Sequence, residues 1–174
     1  GGSLEISKNR LMSIAGIHLP TCGKDEWLTP PWLIGSLGHF DLDPCSPVVR
    51  PWATAEKHFT INDDGLAQAW SGRVFCNPPY GNKTGLWLGK CAEHKNATAL
   101  VYARTETADW FEKIWPVAHS VLFIKGRLFF HHVDGSKADH NSGGPSALIA
   151  FDEANGWALA GSNIAGKLIR LKFD

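Results

Sequence analysis

The 174-residue sequence lacks several features that would assign it to a special class of protein. No apolar run approaches the roughly 18 residues of a membrane-spanning helix, so no membrane segment is expected. No signal-peptide pattern is visible at the N-terminus, where Gly1 to Ser3 look like a cloning scar. The cysteines lie far apart, at positions 22, 45, 76 and 91, without zinc-site spacing. We therefore expect reduced thiols, no bound metal and a cytoplasmic protein.

An excess of charge is also missing, because 17 Lys and Arg residues balance 17 Asp and Glu residues. This balance counts against a protein that holds nucleic acid by bulk charge, although it leaves room for a local basic face. Tryptophan, by contrast, is abundant at eight copies, and most of these rings should fill the core. The length suits one core. We expect an N-terminal segment over residues 1–24 and a single domain over residues 25–174.

Patterns typical of strands and helices alternate along the chain, and the C-terminal part is rich in strands. We predict a helix that starts in the Thr-Pro-Pro sequence 29–31, runs to Leu37 and ends at Gly38, helices over 86–94 and 107–114, and a helical turn over 65–70. We predict strands over 39–43, 58–62, 73–76, 97–102 and 146–151, a hairpin of 120–124 with 128–132, and an edge strand or packed tail over 166–173. The polar, glycine-rich stretch 133–145 predicts a mobile loop. This order indicates an α/β fold whose mixed sheet has antiparallel strands at an edge.

Two polar residues close predicted strands, Asp43 and Asn77. Open α/β sheets bind ligands beyond the carboxyl ends of their strands, so both residues are candidates for a ligand site. Only about thirty residues separate them, too few for the usual two crossover helices, which need roughly a dozen residues or more each. The first part of the sheet should therefore be abbreviated.

The strongest motif is Asn77, Pro78, Pro79 and Tyr80, which directly follows a predicted buried strand. Such a loop suits methylation of an aromatic amine, a poor nucleophile whose two N–H groups need acceptors. The side-chain oxygen of Asn77 is one acceptor, and the carbonyl of Pro78 can be the other. Two adjacent prolines stiffen the loop and offer no competing N–H donor. Tyr80 supplies a ring on which a base can stack. The alternative is a simple proline turn, or a proline-rich ligand of a recognition module.

The order of the motifs resembles the phage DNA N-6-adenine methyltransferase family, over roughly residues 25–151. The shared pieces are Trp27, Thr29 and Pro30; the run Asp41 to Cys45; Asp64, Gly65, Leu66 and Trp70; Asn77 to Tyr80; and Gly126 to Phe129. The resemblance implies an abbreviated Rossmann-like methyltransferase fold that binds S-adenosylmethionine and double-stranded DNA. It also implies a phage or prophage protein in a bacterial host. It implies no membrane association and no obligatory protein partner.

The resemblance also assigns residues to the cofactor. They are Trp27, Thr29 and Pro30 at its methionine end, Asp43 with Pro44 and Cys45 near its ammonium or ribose, Asp64 with Leu66 at its adenine, and Asn77. Two alternatives remain open, because Thr29 can also cap a helix and Asp63 with Asp64 can also form a turn. The sequence departs from related enzymes after the first strand, where Pro44 to Pro47 replace a glycine-rich loop.

Basic residues near the motif are candidates for DNA contacts, together with Tyr80. Lys83 lies just beyond the loop, Arg104 follows the strand 97–102, and Arg127 lies in the predicted hairpin. Arg104 could instead pair with Glu106, and Arg127 could join a buried ion pair. The function expected is methyl transfer to the exocyclic amine of a flipped adenine. The enzyme would be either specific for one DNA sequence or of low sequence specificity. The rivals are methylation of cytosine N4 or of protein glutamine, and a catalytically silent nucleic-acid-binding module.

Overall fold

The computed structural model describes residues 26–172. The N-terminal segment predicted over residues 1–24 lies outside this range. The elements are α1 Pro31–Leu37, β1 Leu42–Asp43, β2 Lys57–His58, β3 Val74–Cys76, α2 Thr84–His94, β4 Ala97–Tyr102, the π-helix Trp110–Ile114, β5 Ser120–Ile124, β6 Ser146–Ala150, α3 Glu153–Gly161 and β7 Gly166–Arg170. No helix within residues 26–172 combines the length and apolar character that crossing a bilayer would require.

The strands form one sheet in the order β2-β1-β3-β4-β6-β5-β7. β2, β1, β3 and β4 run parallel to one another, whereas β6 is antiparallel to both β4 and β5, and β7 is antiparallel to β5 at the edge. The predicted α/β class with a mixed sheet and an antiparallel edge strand is therefore confirmed. This arrangement is consistent with a methyltransferase-like fold.

Helices cover both faces of the sheet. On one face, α2 and the π-helix bury Trp87, Leu88 and Trp110 against the inward side chains of β3 and β4. On the other face, α1 and α3 bury Leu33 and Leu159 in a second cluster. β4 lies between β3 and β6, and its residues 97–101 are all buried, which explains their continuous apolar run.

The abbreviation predicted for the first part of the sheet is present, since β1 and β2 have only two residues each. Among the described residues, no helix lies between β1 and β3. β1 is shorter than the predicted 39–43, and β2 overlaps the predicted 58–62 only at His58, so the prediction for residues 59–62 is wrong. The predicted helical turn over 65–70 is a hydrogen-bonded turn, in which the Ala67 N–H donates to the Asp64 carbonyl at 2.9 Å.

In the C-terminal part, one prediction is wrong and one helix was missed. Residues 128–132 do not pair with β5, because β6 and β7 already occupy both of its edges. The segment runs instead beside Leu28, whose N–H donates to the His131 carbonyl at 2.8 Å. Helix α3 was not predicted, because glycine and asparagine in its first turns lower helix propensity. The Asp152 side chain caps it by accepting from the Asn155 N–H.

Candidate active site

Several strands end at one edge of the sheet. β1, β3 and β4 are parallel, so Asp43, Asn77 and Tyr102 all lie at or just beyond their carboxyl ends. β5 also ends there, because it is antiparallel to β6, which is antiparallel to β4. The expectation that Asp43 and Asn77 meet at one ligand-binding edge agrees with this topology.

Asn77 has one satisfied and one unsatisfied side-chain group. Its Nδ2 donates to the Thr29 hydroxyl at 3.2 Å, which fixes the orientation of the amide. Its Oδ1 is buried and has no hydrogen-bond partner. A buried acceptor without a partner costs about 1–3 kcal/mol, so the position suits an incoming N–H donor.

The two prolines present their carbonyls differently. The Pro79 carbonyl accepts a hydrogen bond from the Thr84 hydroxyl at 2.7 Å, which ties the loop to the first turn of α2. Pro78 is buried, and no residue within 26–172 donates to its carbonyl. The loop therefore contains two acceptors without protein partners, Asn77 Oδ1 and the Pro78 carbonyl.

Tyr80 stacks on a second tyrosine. Its ring lies 4.2 Å from the ring of Tyr102, centroid to centroid, with the planes inclined by 27°. The side chain remains partly exposed, whereas burial of the hydroxyl, with Tyr102 and Cys45 nearby, raises the pKa of Tyr80. The phenol is therefore neutral at physiological pH and presents a flat, uncharged ring.

Trp27, Thr29 and Pro30 belong to one segment, in which Thr29 contacts Asn77. The Thr29 carbonyl accepts from Trp52 Nε1 at 3.1 Å, and the Trp27 ring lies 5.0 Å from the ring of His132. The alternative role of Thr29 as a helix cap is wrong, because Pro30 occupies the N-cap position and no side chain caps α1. The Thr29 hydroxyl bonds to Asn77 instead.

Asp43 is buried with both carboxylate oxygens occupied. Oδ2 accepts from the Thr54 hydroxyl, and Oδ1 accepts from the backbone N–H of Cys45 at 3.2 Å. Burial raises the pKa of Asp43 to about 6, although both hydrogen bonds oppose the shift. The carboxylate thus fastens the loop that replaces a glycine-rich turn, and Pro44 directly follows it in that loop.

Cys45 links the two strand ends. Its thiol donates to the Asn77 carbonyl at 3.1 Å and lies 3.7 Å from the sulfur of Cys76. Cys45, Cys76 and Cys91 are free thiols, as expected for the described cysteines, and Cys22 lies outside the described residues. Burial raises the pKa of Cys45 and of Cys76, which keeps both thiols protonated.

The segment with Asp64 and Leu66 packs against Pro44. A Cβ atom at Gly65 would lie 1.9 Å from the Pro44 carbonyl oxygen, so only glycine fits this approach. Asp64 is exposed at a φ of 52°, and Leu66 packs on the core below it. The turn alternative holds for Asp63, whose carboxylate accepts from the Thr60 N–H at 2.8 Å.

The predicted DNA-contacting cations are all exposed near this edge. Lys83 occupies the N-cap of α2. The guanidinium of Arg104 lies 5.7 Å from the centroid of the Tyr102 ring, and within residues 26–172 it forms no ion pair with Glu106. Arg127 is exposed, so the alternative of a buried ion pair is wrong.

Two cavities meet at the tyrosine pair. One, of about 190 Å³, lies on the side of the 128–142 segment and is lined by Trp27, Tyr80, Tyr102, Phe130, Ala138, His140, Asn141 and Ser142. The other, of about 410 Å³, lies on the side of α2 and the π-helix and includes Arg104 and Asp109. We call them the loop-side and helix-side cavities.

Sequence reasoning missed several residues that shape this site. Thr54 and Trp52 hold Asp43 and Thr29, Thr84 holds Pro79, and Tyr102 stacks on Tyr80. Only Tyr102 carried a signal, since it ends a strongly predicted strand at the ligand edge. Among the described residues, the side chains of His39, Asp41 and Glu56 lie close enough together to share a metal ion. His39 and Glu56 are exposed, Asp41 is half-buried, and the group lies at the opposite edge of the sheet.

A mixed sheet with an Asn-Pro-Pro-Tyr loop at the end of a strand is consistent with a methyltransferase-like domain. The chain belongs to the DNA N-6-adenine-methyltransferase (Dam) family, whose model matches residues 16–157. Comparison with curated proteins and with solved structures found no significant match. Membership in this family implies DNA as the substrate and S-adenosylmethionine as the methyl donor.

Proposed function

We propose that this chain transfers a methyl group from S-adenosylmethionine to the exocyclic amine of an adenine that has left the DNA stack. The observation that carries the proposal is the buried, unpartnered Oδ1 of Asn77. An amine hydrogen in this position would satisfy the acceptor, and the Pro78 carbonyl would accept the second hydrogen. Stacking of the base on Tyr80 would contribute about 1–3 kcal/mol.

The geometry of the loop favours the reaction in two ways. Two acceptors hold the amine in the orientation that frees its lone pair, and they stabilise the positive charge that develops on the nitrogen. The Thr29 hydroxyl holds the Asn77 amide so that Oδ1, rather than Nδ2, faces the amine. No general base is required, because the methylated ammonium is acidic and releases its proton afterwards.

The residues beside Asn77 fit a sulfonium cofactor, which supplies the methyl group when bound. We propose that Trp27, Thr29 and Pro30 contact its methionine end, and that Asp43, Pro44 and Cys45 lie along its ribose and ammonium. The anionic form of Asp43 would favour a nearby cation, and a nearby cation would lower its raised pKa. Asp64 and Leu66, which reach this edge because Gly65 packs on Pro44, would contact the cofactor's adenine.

The same proposal covers DNA contacts and compartment. Lys83, Arg104 and Arg127 are exposed cations that can contact phosphates around the target base.

Because the described cysteines are free thiols, we propose a reducing compartment, the cytoplasm of a bacterial host of a phage or prophage.

The test is methyl transfer from tritium-labelled S-adenosylmethionine to double-stranded DNA, followed by nucleoside analysis. We expect label in N6-methyladenine. Label in N4-methylcytosine, or label in glutamine when protein is supplied in place of DNA, would overturn the choice of substrate. No label in any substrate, with DNA binding retained, would indicate a silent nucleic-acid-binding module.

A further inference from the structure

Tyr102 is held in place much more firmly than Tyr80. It ends the buried strand β4, and its hydroxyl donates to the Ser142 carbonyl. Gly144 passes directly over its ring, since a Cβ there would lie 3.0 Å from Tyr102 Cδ1. These contacts fix the position of the ring at both ends.

Tyr80, in contrast, follows two prolines in a loop and is 38% exposed. Within residues 26–172 no hydrogen bond holds its hydroxyl. Its ring contact is the stack on Tyr102 at 4.2 Å. The orientation of the Tyr80 ring therefore depends on Tyr102.

The two cavities at this pair suit different ligands. The loop-side cavity, of about 190 Å³, is walled by Trp27 and Phe130 and has neutral polar groups at Asn141 and Ser142. It is smaller than the roughly 300–1,000 Å³ of sites for drug-sized ligands, so a single planar ring system fits it best. The helix-side cavity contains the charged side chains of Arg104 and Asp109. An uncharged base there would remove water from both charges without forming an ionic contact that offsets the cost.

The loop-side cavity and the acceptor share one segment of the chain. Trp27 lines the cavity, and Thr29, two residues further along the chain, bonds to Asn77. A base in this cavity would therefore lie against the tyrosine pair, on the side of the segment that holds the Asn77 side chain.

We propose that Tyr102 is a positioning residue, which holds the Tyr80 ring in the orientation that stacks a purine base in the loop-side cavity. This inference rests on the proposed function for the identity of the base. It extends that function by assigning a role to Tyr102 and a location to the base.

The test is binding of a single-stranded oligonucleotide of thymines with one central 2-aminopurine, whose fluorescence reports stacking. Tyr80→Leu, Tyr102→Leu and the double variant complete a double-mutant cycle. Because Tyr102 acts through Tyr80, we expect each single variant to weaken binding about tenfold, the order of one base–aromatic stack. The double variant should be no weaker than Tyr80→Leu.

Tyr102→Phe keeps the ring and should restore binding to within about twofold of the wild type, which separates stacking from general damage to the fold. Phe111→Leu, an exposed aromatic outside both cavities, is the control and should bind normally. Additive losses in the cycle, or a wild type that gives no stacking signal, would overturn the proposal.

Asn141 lines the loop-side cavity and Thr107 lines the helix-side cavity, and each side chain makes one local hydrogen bond. The variants Asn141→Ala and Thr107→Ala therefore report which cavity holds the base. We expect weaker stacking in Asn141→Ala alone, and the reverse pattern would place the base in the helix-side cavity and overturn its assignment. The binding cycle needs no methyl transfer. The binding cycle therefore tests the role of Tyr102, and the methyl-transfer assay tests the proposed function. The proposed function fails if that assay yields another product.

Discussion

The two sides of strand β3 are built on different principles. On the side that we propose binds the cofactor, residues 42–73 and called the cofactor side below, the two strands have two residues each, and the rest is irregular. On the ladder side, β4 to β7 have five or six residues each and form continuous antiparallel pairs from β4 onward. Asn77 lies at the boundary between the two sides.

The cofactor side compensates for its short ladder with specific contacts. Asp43 binds Thr54 and the Cys45 N–H, the Cys45 thiol binds the Asn77 carbonyl, and Gly65 packs on Pro44. Because only a few backbone hydrogen bonds join the short strands of the cofactor side, single substitutions in residues 42–73 should affect cofactor binding and local stability. Substitutions at Asn77 should affect chemistry.

The largest effect is expected for Asn77→Ala, which removes an amine acceptor. By analogy with the loss of one preorganised charge-stabilising group, kcat should fall about 100- to 1,000-fold. The affinity for S-adenosylmethionine, measured by calorimetry, should change only a few-fold. Asn82→Ala, an exposed asparagine in the following turn, is the control and should retain activity. Lost cofactor binding in Asn77→Ala would mean that the residue belongs functionally to the cofactor side.

Gly65→Ala should destabilise the packing of the cofactor side and leave the strands β4 to β7 unchanged. The new Cβ would collide with the Pro44 carbonyl oxygen, which is backbone and cannot turn away. We expect a loss of about 1–3 kcal/mol in the free energy of unfolding, or more, by denaturant titration. Gly35→Ala in helix α1 has open space and should be neutral or slightly stabilising. Equal stability of both variants would contradict the close packing.

Asp43→Ala should chiefly weaken cofactor binding. It removes the carboxylate and leaves the Thr54 hydroxyl and the Cys45 N–H without their acceptor, which also costs about 1–3 kcal/mol of stability. Calorimetry measures the first effect and thermal unfolding the second. The exposed Asp139→Ala should change neither. Unchanged cofactor affinity in Asp43→Ala would sink the assignment of Asp43 to the cofactor.

The smallest effect concerns pH. The pKa of Asp43 is raised from 3.8 to about 6, so the folded chain holds a proton that the unfolded chain has released, and stability rises as pH falls from 6 to 3.8. Burial, with Arg50 nearby, lowers the pKa of His58 from 6.5 to about 4. The unfolded chain therefore takes up a proton first, and stability falls as pH drops from 6.5 to 4.

These two contributions oppose each other in the wild type. Asp43→Asn removes the first, so the free energy of unfolding of this variant should fall more steeply between pH 6 and pH 4 than that of the wild type. Denaturant titrations at several pH values measure the difference. Parallel profiles would contradict the raised pKa of Asp43.

The ladder side was largely predictable from the sequence, because buried strands have continuous apolar runs. The interval 97–102 was predicted as a strand with the bounds that β4 has. The error there was the partner of β5, since the apolar residues at 128–130 do not show that β6 and β7 would fill both edges. Strand pairing depends on distant segments, which local patterns do not reveal.

For the cofactor side, the sequence predicted only that this part of the sheet is shortened. The short interval between Asp43 and Asn77 excluded two crossover helices, but it could not show that Thr54 would bind Asp43 or that Cys45 would reach Asn77. Such contacts follow from the path of an irregular chain, which no periodicity encodes. The loop Asn77 to Tyr80 could be proposed as the catalytic loop from the sequence, because its residue types suit the chemistry by themselves.

The most direct test of the account is nucleoside mass spectrometry of DNA from bacteria that express either the wild-type chain or Asn77→Ala at equal levels. We predict N6-methyladenine above the host background with the wild type and background with Asn77→Ala. Equal N6-methyladenine from both chains, or a different methylated base from the wild type, would contradict the role assigned to the unpartnered oxygen of Asn77.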